Sequence, residues 1–113
     1  MKHEEAWIQK VVVNYVRNKH PEIIFTCAPA VANSARQGHE NRLMGYQKGW
    51  PDLFFALAKR GYNGLFIELK TEKGKISIEQ EKIISALLDL GYKAVICRSS
   101  EEAIAEIRDY IKS

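Results

Sequence analysis

Phe66-Ile67-Glu68-Leu69-Lys70 is the stretch from which the rest of the chain is read. Successive side chains on a strand point to opposite faces, so Glu68 and Lys70 share one face while Ile67 and Leu69 share the other. A buried strand does not ordinarily carry a carboxylate and an ammonium on its inward side unless they are paired or used. A structural ion pair, or an edge strand with exposed charges, accounts for this segment taken alone. Just upstream, Gly49-Trp50-Pro51-Asp52-Leu53-Phe54-Phe55 sets an acid at the head of a second apolar run. Asp52 by itself also suits a turn after Pro51. Residues 58–63, leading into Tyr62-Asn63-Gly64, turn a strand over 52–57 back into a strand over 64–70. That hairpin brings Asp52 and Glu68 close enough to share one cation.

Working outward, Ser77 with Gln80 three residues on forms a capping-box pattern at the start of a helix. Ile83, Ile84, Leu87 and Leu88 supply its buried face, and Gly91 is its stop. A strand over 92–97 follows, then a second capping-box pattern, Ser99 with Glu102, opens a last helix bearing Ile104, Ile107 and Ile111. At the other end, residues 4–18 have helical periodicity. Glu5, Ile8, Gln9, Val12 and Val16 form one stripe, flanked by Trp7, Val11 and Tyr15. His20-Pro21 closes that helix, and residues 23–27 read as a short strand.

Between 28 and 50 the pattern is broken by Pro29, Asn33, Ser34, Gly38, Asn41, Gly45 and Gly49, and is basic through Arg36, His39, Arg42 and Lys48. So long a connection is either a functional loop or holds a short helix, for which 42–47 is the candidate. The order is α-β-β-β-α-β-α. The helix between the third and fourth strands demands a parallel crossover, so an α/β fold with a mixed sheet and flanking helices is expected. With no internal repeat or linker, residues 1–113 read as a single domain.

The 113 residues carry a formal net charge of +3, with 46% hydrophobic and 27% charged residues. A mildly basic globular protein is compatible with a polyanionic partner, and equally with none. Cys27 and Cys97 lack any C-x-x-C or Cys/His context and read as buried small hydrophobes in a reducing compartment. His3, His20 and His39 lack metal-ligand spacing. The start, Met1-Lys2-His3-Glu4-Glu5, is charged and is not a signal region. No apolar run is long enough to span a bilayer, so an intracellular, cytoplasmic protein is expected.

Phosphodiester hydrolysis gives Asp52, Glu68 and Lys70 a reason to meet. Two carboxylates hold Mg²⁺ or Mn²⁺, which activates water and neutralises phosphoryl charge. A nearby lysine orients that water and stabilises the transition state as a point charge. Pro51-Asp52 followed by Glu68-Leu69-Lys70 resembles the PD-(D/E)XK nuclease motif. Glu5-x-x-x-Gln9 on the first helix, Gly49-x-Pro51-Asp52-Leu53, Glu68-x-Lys70 and the Ser77-x-x-Gln80 helix together look like a virus-type replication-repair nuclease (VRR-NUC) domain.

That resemblance covers about residues 3–97. It implies a restriction-endonuclease-like α-β-β-β-α-β core and Mg²⁺- or Mn²⁺-dependent nuclease activity. It carries Asp52 and Glu68 over as metal ligands, the Leu69 carbonyl as a further ligand, Lys70 as the catalytic lysine, and Glu5 as the acidic residue of the first helix. Gln80 falls where related nucleases often carry a glutamine near the active site. The helix dipole accounts for Glu5 without an active site, and capping alone accounts for Gln80. Gln9 either bonds within the site or ends the apolar stripe.

Arg36, His39, Arg42, Lys48, Lys73 and Lys75 are candidate phosphate contacts, though solvated charge is their simplest reading. Free-standing domains resembling this one occur in phages and bacteria, which implies cleavage of branched DNA, four-way (Holliday) junctions included, in DNA repair. Cutting two strands symmetrically calls for a homodimer. The alternatives are a monomeric nicking or flap nuclease, and a catalytically silent DNA-binding protein.

Overall fold

A computed structural model describes residues 2–28 and 34–112. The breakers Pro29 and Asn33 and the side chain of His3 lie outside what it describes. The elements run α1 (Lys2–Lys19), β1 (Phe25–Cys27), α2 (Ala35–Leu43), β2 (Leu53–Phe55), β3 (Leu65–Leu69), α3 (Ile78–Asp89), β4 (Lys93–Cys97) and α4 (Ser100–Lys112). One sheet has the order β1-β2-β3-β4. β1 with β2 and β2 with β3 are antiparallel, and β3 with β4 is parallel across the α3 crossover. The sheet is mixed, as the chain order of the hydrophobic runs demands.

The period-two alternation of β2 and β3 sorts the sheet into two unlike faces. Leu53, Phe55, Leu65, Ile67 and Leu69, with Cys97 of β4, form one core with Val12 and Val16 of α1 and Ala103, Ile107 and Tyr110 of α4. Burying this apolar area is the main stabilising term. Tyr110 also donates a 2.6 Å hydrogen bond to the Leu57 carbonyl, tying α4 to the chain leaving β2. The other face carries Asp52, Phe54, Phe66, Glu68 and Lys70. The first turn of α3 reaches that second face, since Gln80 touches Glu68.

Several local readings shift. The helix in the irregular stretch is not at 42–47 but at Ala35–Leu43, begun by the Ser34 hydroxyl accepting from the Gln37 amide. Met44 caps it and Gly45, at φ +103°, breaks it. α2 buries none of its residues and packs on no other element, so its apolar period is weak and the sequence pattern has little to show there. Cys27 is exposed on the edge strand, not buried, while Cys97 is fully buried. Leu88 is half exposed, because α3 meets the sheet mainly along β4 and only Leu87 is fully enclosed.

The Ser77–Gln80 capping box forms in full. The Ser99 box forms by half: its hydroxyl accepts from the Glu102 amide, but the Glu102 carboxylate takes the Arg98 amide instead of the Ser99 one. The hairpin turns at Arg60 and Gly61, both at positive φ, ahead of the expected Tyr62-Asn63-Gly64. Asn63 instead braces the end of α3, its side chain donating to the Leu90 carbonyl at 2.8 Å.

Candidate active site

Antiparallel register builds the centre of the site. Leu53 pairs with Ile67 and Phe54 with Phe66, so one step further Asp52 stands opposite Glu68 on the same face. The contact is fixed from the backbone as well: Asp52 Oδ2 accepts the Leu69 amide at 2.7 Å. Asp52 therefore reaches across the head of β2 to the end of β3, which places its carboxylate beside that of Glu68.

Glu68 is 2% exposed. Its Oε2 accepts from Gln80 Nε2 at 3.0 Å and lies 3.6 Å from Lys70 Nζ. Gln80 serves two ends at once, for its Oε1 accepts the Ser77 amide at 2.9 Å in the capping box. One side chain starts α3 and presents a donor to Glu68. Glu68 Oε1 is buried and has no hydrogen-bond partner among the described residues. Such an oxygen is expensive inside a protein when nothing meets it; a proton shared with the adjacent Asp52 carboxyl or a bound cation satisfies it.

Electrostatics say the same. Burial, and then the charge of Asp52, push the Glu68 carboxyl from an ordinary 4.5 up to about 8, against the lowering pull of Lys70. Burial also raises Asp52, opposed by the Leu69 amide, with Glu5 adding to the rise. Three acids in one cleft with one close ammonium form a cluster short of positive charge.

The cleft over these groups has a volume of about 760 Å³ and its lining includes Glu5, Asp52, Glu68, Lys70 and Gln80 together with Arg42, Tyr46, Lys48 and Trp50. Gly49 also lines it, with φ at +98°, and an added Cβ there would lie 2.7 Å from the carbonyl carbon and oxygen of Glu79. Only glycine lets the chain cross the first turn of α3 so closely. That crossing seats Trp50 to Asp52 beside Gln80.

Of the residues named from sequence, Asp52, Glu68, Lys70, Glu5 and Gln80 come together here, and Arg42 and Lys48 join them. Gln9 does not line this cleft; it faces a separate groove beside β1, with Lys10, Asn14 and Arg17. Arg36 and His39, on α2, and Lys73 and Lys75, in the turn after β3, are exposed and away from the cleft lining.

Two contributors escaped the sequence reading. Arg98 at the end of β4 donates to the carbonyls of Thr71 at 2.9 Å and Gly74 at 2.7 Å, clasping the turn that follows Lys70. Trp50, inside the Gly49-Trp50-Pro51-Asp52 motif, remains 39% exposed on the cleft wall. An aromatic two residues before the acid in that motif was the available signal.

The donor set suits a hard divalent cation: two carboxylates, one with a free buried oxygen, and the Leu69 carbonyl next in the chain to Glu68, in the residue whose amide Asp52 accepts. Among the described residues no three His, Cys, Asp or Glu side chains are grouped tightly enough to hold a metal ion by themselves. Glu5 acts on the pair by its charge, so a cation here would keep water in several positions, as Mg²⁺ commonly does.

A mixed sheet whose hairpin joins an Asp to a Glu-x-Lys strand, beside a helix whose capping box carries a glutamine, is the architecture of a nuclease-type fold. The VRR-NUC domain model matches residues 2–101, and the chain belongs to that family. A solved structure described as a "VRR_NUC domain protein" is 26% identical, superposes with a TM-score of 0.84, and is matched over 96% of this chain and 88% of that one. No curated protein matches. No helix among the described residues is long and apolar enough to cross a membrane.

Proposed function

We propose that this protein is a divalent-metal-dependent endodeoxyribonuclease. The single observation that carries the reading is the Glu68 carboxylate: buried, raised to about 8, held by Gln80 and Lys70 through one oxygen and unpartnered at the other. Nothing in core packing calls for such a group, whereas cation binding does.

Asp52, Glu68 and the Leu69 carbonyl would hold Mg²⁺ or Mn²⁺. The bound cation supplies Lewis-acid activation of water and neutralises charge on the phosphate. The remaining work belongs to the chain itself. Gln80 fixes the Glu68 carboxylate plane, and the Leu69 amide fixes that of Asp52. Lys70, 12% exposed at its side chain, places a positive charge where phosphoryl oxygens gain negative charge and where a proton leaves the attacking water. Glu5 adds negative charge that favours a cation over an empty cluster. Arg42 and Lys48, which line the cleft, attract the phosphate backbone; Arg36, His39, Lys73 and Lys75, exposed outside it, are proposed as outer phosphate contacts.

The substrate reading is branched DNA, including four-way junctions, cut by a homodimer. It rests on the family and on symmetry: paired incisions need two such sites. Nicking or flap cleavage by one copy is the second reading, since one copy already brings Asp52, Glu68 and Lys70 into one cleft.

The test is cleavage of labelled linear duplex, flap and four-way-junction DNA across Mg²⁺ and Mn²⁺ titrations, with Lys70→Ala beside the wild type. We expect metal-dependent cutting by the wild type and none by the variant, with DNA binding retained. Absence of cutting on every substrate with both metals sinks the enzyme reading, and wild-type rates in Lys70→Ala remove the lysine from the mechanism.

A further inference from the structure

The geometry points to a nucleobase-stacking platform on Trp50, which receives an unpaired base of the nucleic acid whose phosphate lies over Asp52 and Glu68. This deepens the nuclease reading above and rests on it. The sheet register supplies the first argument. Thr26, Phe54 and Phe66 form one cross-strand row, and Asp52 with Glu68 form the next row on the same face. Two residues of strand separate the rows, roughly 7 Å. A group seated on the aromatic row is therefore a near neighbour of whatever the carboxylates hold.

The platform is built of packed rings. Trp50 packs against Phe66 with ring centroids 5.4 Å apart, Phe66 stacks on Phe54 at 4.5 Å, and Tyr92 meets Phe66 edge-on at 5.2 Å. Phe66 is buried, so the indole has a rigid backing, yet Trp50 keeps 39% of its surface open. The indole is therefore held on one side by packed rings and open on the other, the arrangement a stacking surface requires.

Thirdly, Trp50 and Tyr46 line two hollows at once. One is the carboxylate cleft; the other, of about 450 Å³, is walled by Trp50, Phe54, Phe66 and Tyr92 and offers Thr26 and Gln47 as polar groups. An apolar, aromatic recess with a few hydrogen-bonding groups is what a planar heterocycle fits. The adjoining cleft selects the occupant among planar molecules: Arg42 and Lys48 line it together with Trp50 and the carboxylates of Glu5, Asp52 and Glu68, so the ring that enters the aromatic hollow is one attached to a phosphate held next door. A base inside a duplex is stacked on both faces and cannot reach the indole. Only an unpaired or extruded base can.

The experiment measures binding in Ca²⁺ of two fluorescein-labelled DNAs of one sequence, a single strand and its fully paired duplex. Wild type, Trp50→Ala, Trp50→Leu and Trp50→Phe are compared. Removing one stacked base costs about 5- to 100-fold in affinity. We expect that loss for the single strand in Trp50→Ala and Trp50→Leu, near-wild-type binding in Trp50→Phe, and little change for duplex in any of them. Leucine keeps an apolar contact with Phe66, so it separates stacking from folding.

In a Trp7→Phe background Trp50 is the only tryptophan, and its emission should be quenched by the single strand alone. Equal binding of the single strand by Trp50→Leu and wild type overturns the platform, as does equal loss on both DNAs. The parallel cleavage assay in Mn²⁺ keeps the two ideas apart. Trp50-dependent binding without cutting leaves the platform and sinks the nuclease; cutting without Trp50 dependence does the reverse.

Discussion

Glu68→Gln should make the cation-free protein more stable while abolishing its activity. The wild-type carboxyl is raised from 4.5 to about 8, so the folded state binds a proton that the unfolded state has released. A group raised in this way contributes fully below its unfolded value and loses that contribution as pH climbs through the folded one. At pH 7 the unfolded carboxyl is two and a half pH units above its own midpoint. At about 1.4 kcal/mol per unit, keeping Glu68 protonated costs the fold on the order of 3 kcal/mol.

Glutamine has the same shape, cannot ionise, and still offers an oxygen to Gln80 Nε2. Its melting temperature at pH 7 in chelator should exceed the wild-type value by on the order of 10 °C. The assay is thermal unfolding in chelator from pH 5 to pH 9, repeated with Mg²⁺ and with Mn²⁺. Wild type should soften steadily as pH rises toward 8, with Asp52, also raised, adding in the same direction. The variant should show a flatter profile. Cations should stabilise the wild type, increasingly so at higher pH because binding displaces the proton, and leave the variant nearly unchanged. Parallel pH profiles for the two proteins in chelator would refute the reasoning, since Glu68 would then carry no buried-charge penalty.

Three other variants probe separate parts. Asp52→Asn should weaken Mn²⁺ binding on the order of tenfold or more by titration calorimetry, because one of two anionic donors becomes neutral; unchanged affinity would remove Asp52 as a ligand. Gln80→Glu keeps an acceptor for the Ser77 amide but replaces the donor to Glu68 with another acid. Cleavage at pH 7 should fall by roughly tenfold or more while the melting temperature holds, and a matching fall in both would assign Gln80 to capping alone. Gly49→Ala combines a φ of +98° with a 2.7 Å approach to Glu79, and should cost roughly 1–3 kcal/mol in denaturant unfolding. A neutral result there would mean that the chain shifts easily off α3.

The residues at the centre were legible because strand alternation is a local rule. Glu68 and Lys70 share a face whatever surrounds them, and a hairpin of antiparallel strands sets Asp52 opposite Glu68 by register alone. The capping box at Ser77 was legible for the same reason, being complete within four residues. What a local rule does not contain is burial and partner choice. Leu88 has the same helical period as Leu87 but meets solvent, because β4 is the only strand α3 packs on closely. Ser34 started a helix that no apolar stripe announced, since α2 buries none of its residues and packs on no other element among the described residues.

The sequence by itself determined the mixed α/β order, the hairpin, and the acid–acid–lysine set that placed the chain among nucleases. The tertiary structure decided how those groups are charged and what surrounds them. It lowered Glu68 into a nearly sealed position, gave one oxygen to Gln80 and left the other bare, and drew Arg42, Lys48 and an open Trp50 in from a stretch with almost no periodicity. The physical reason is range: alternation and capping act over a few residues, whereas desolvation and charge depend on every element that closes around a site.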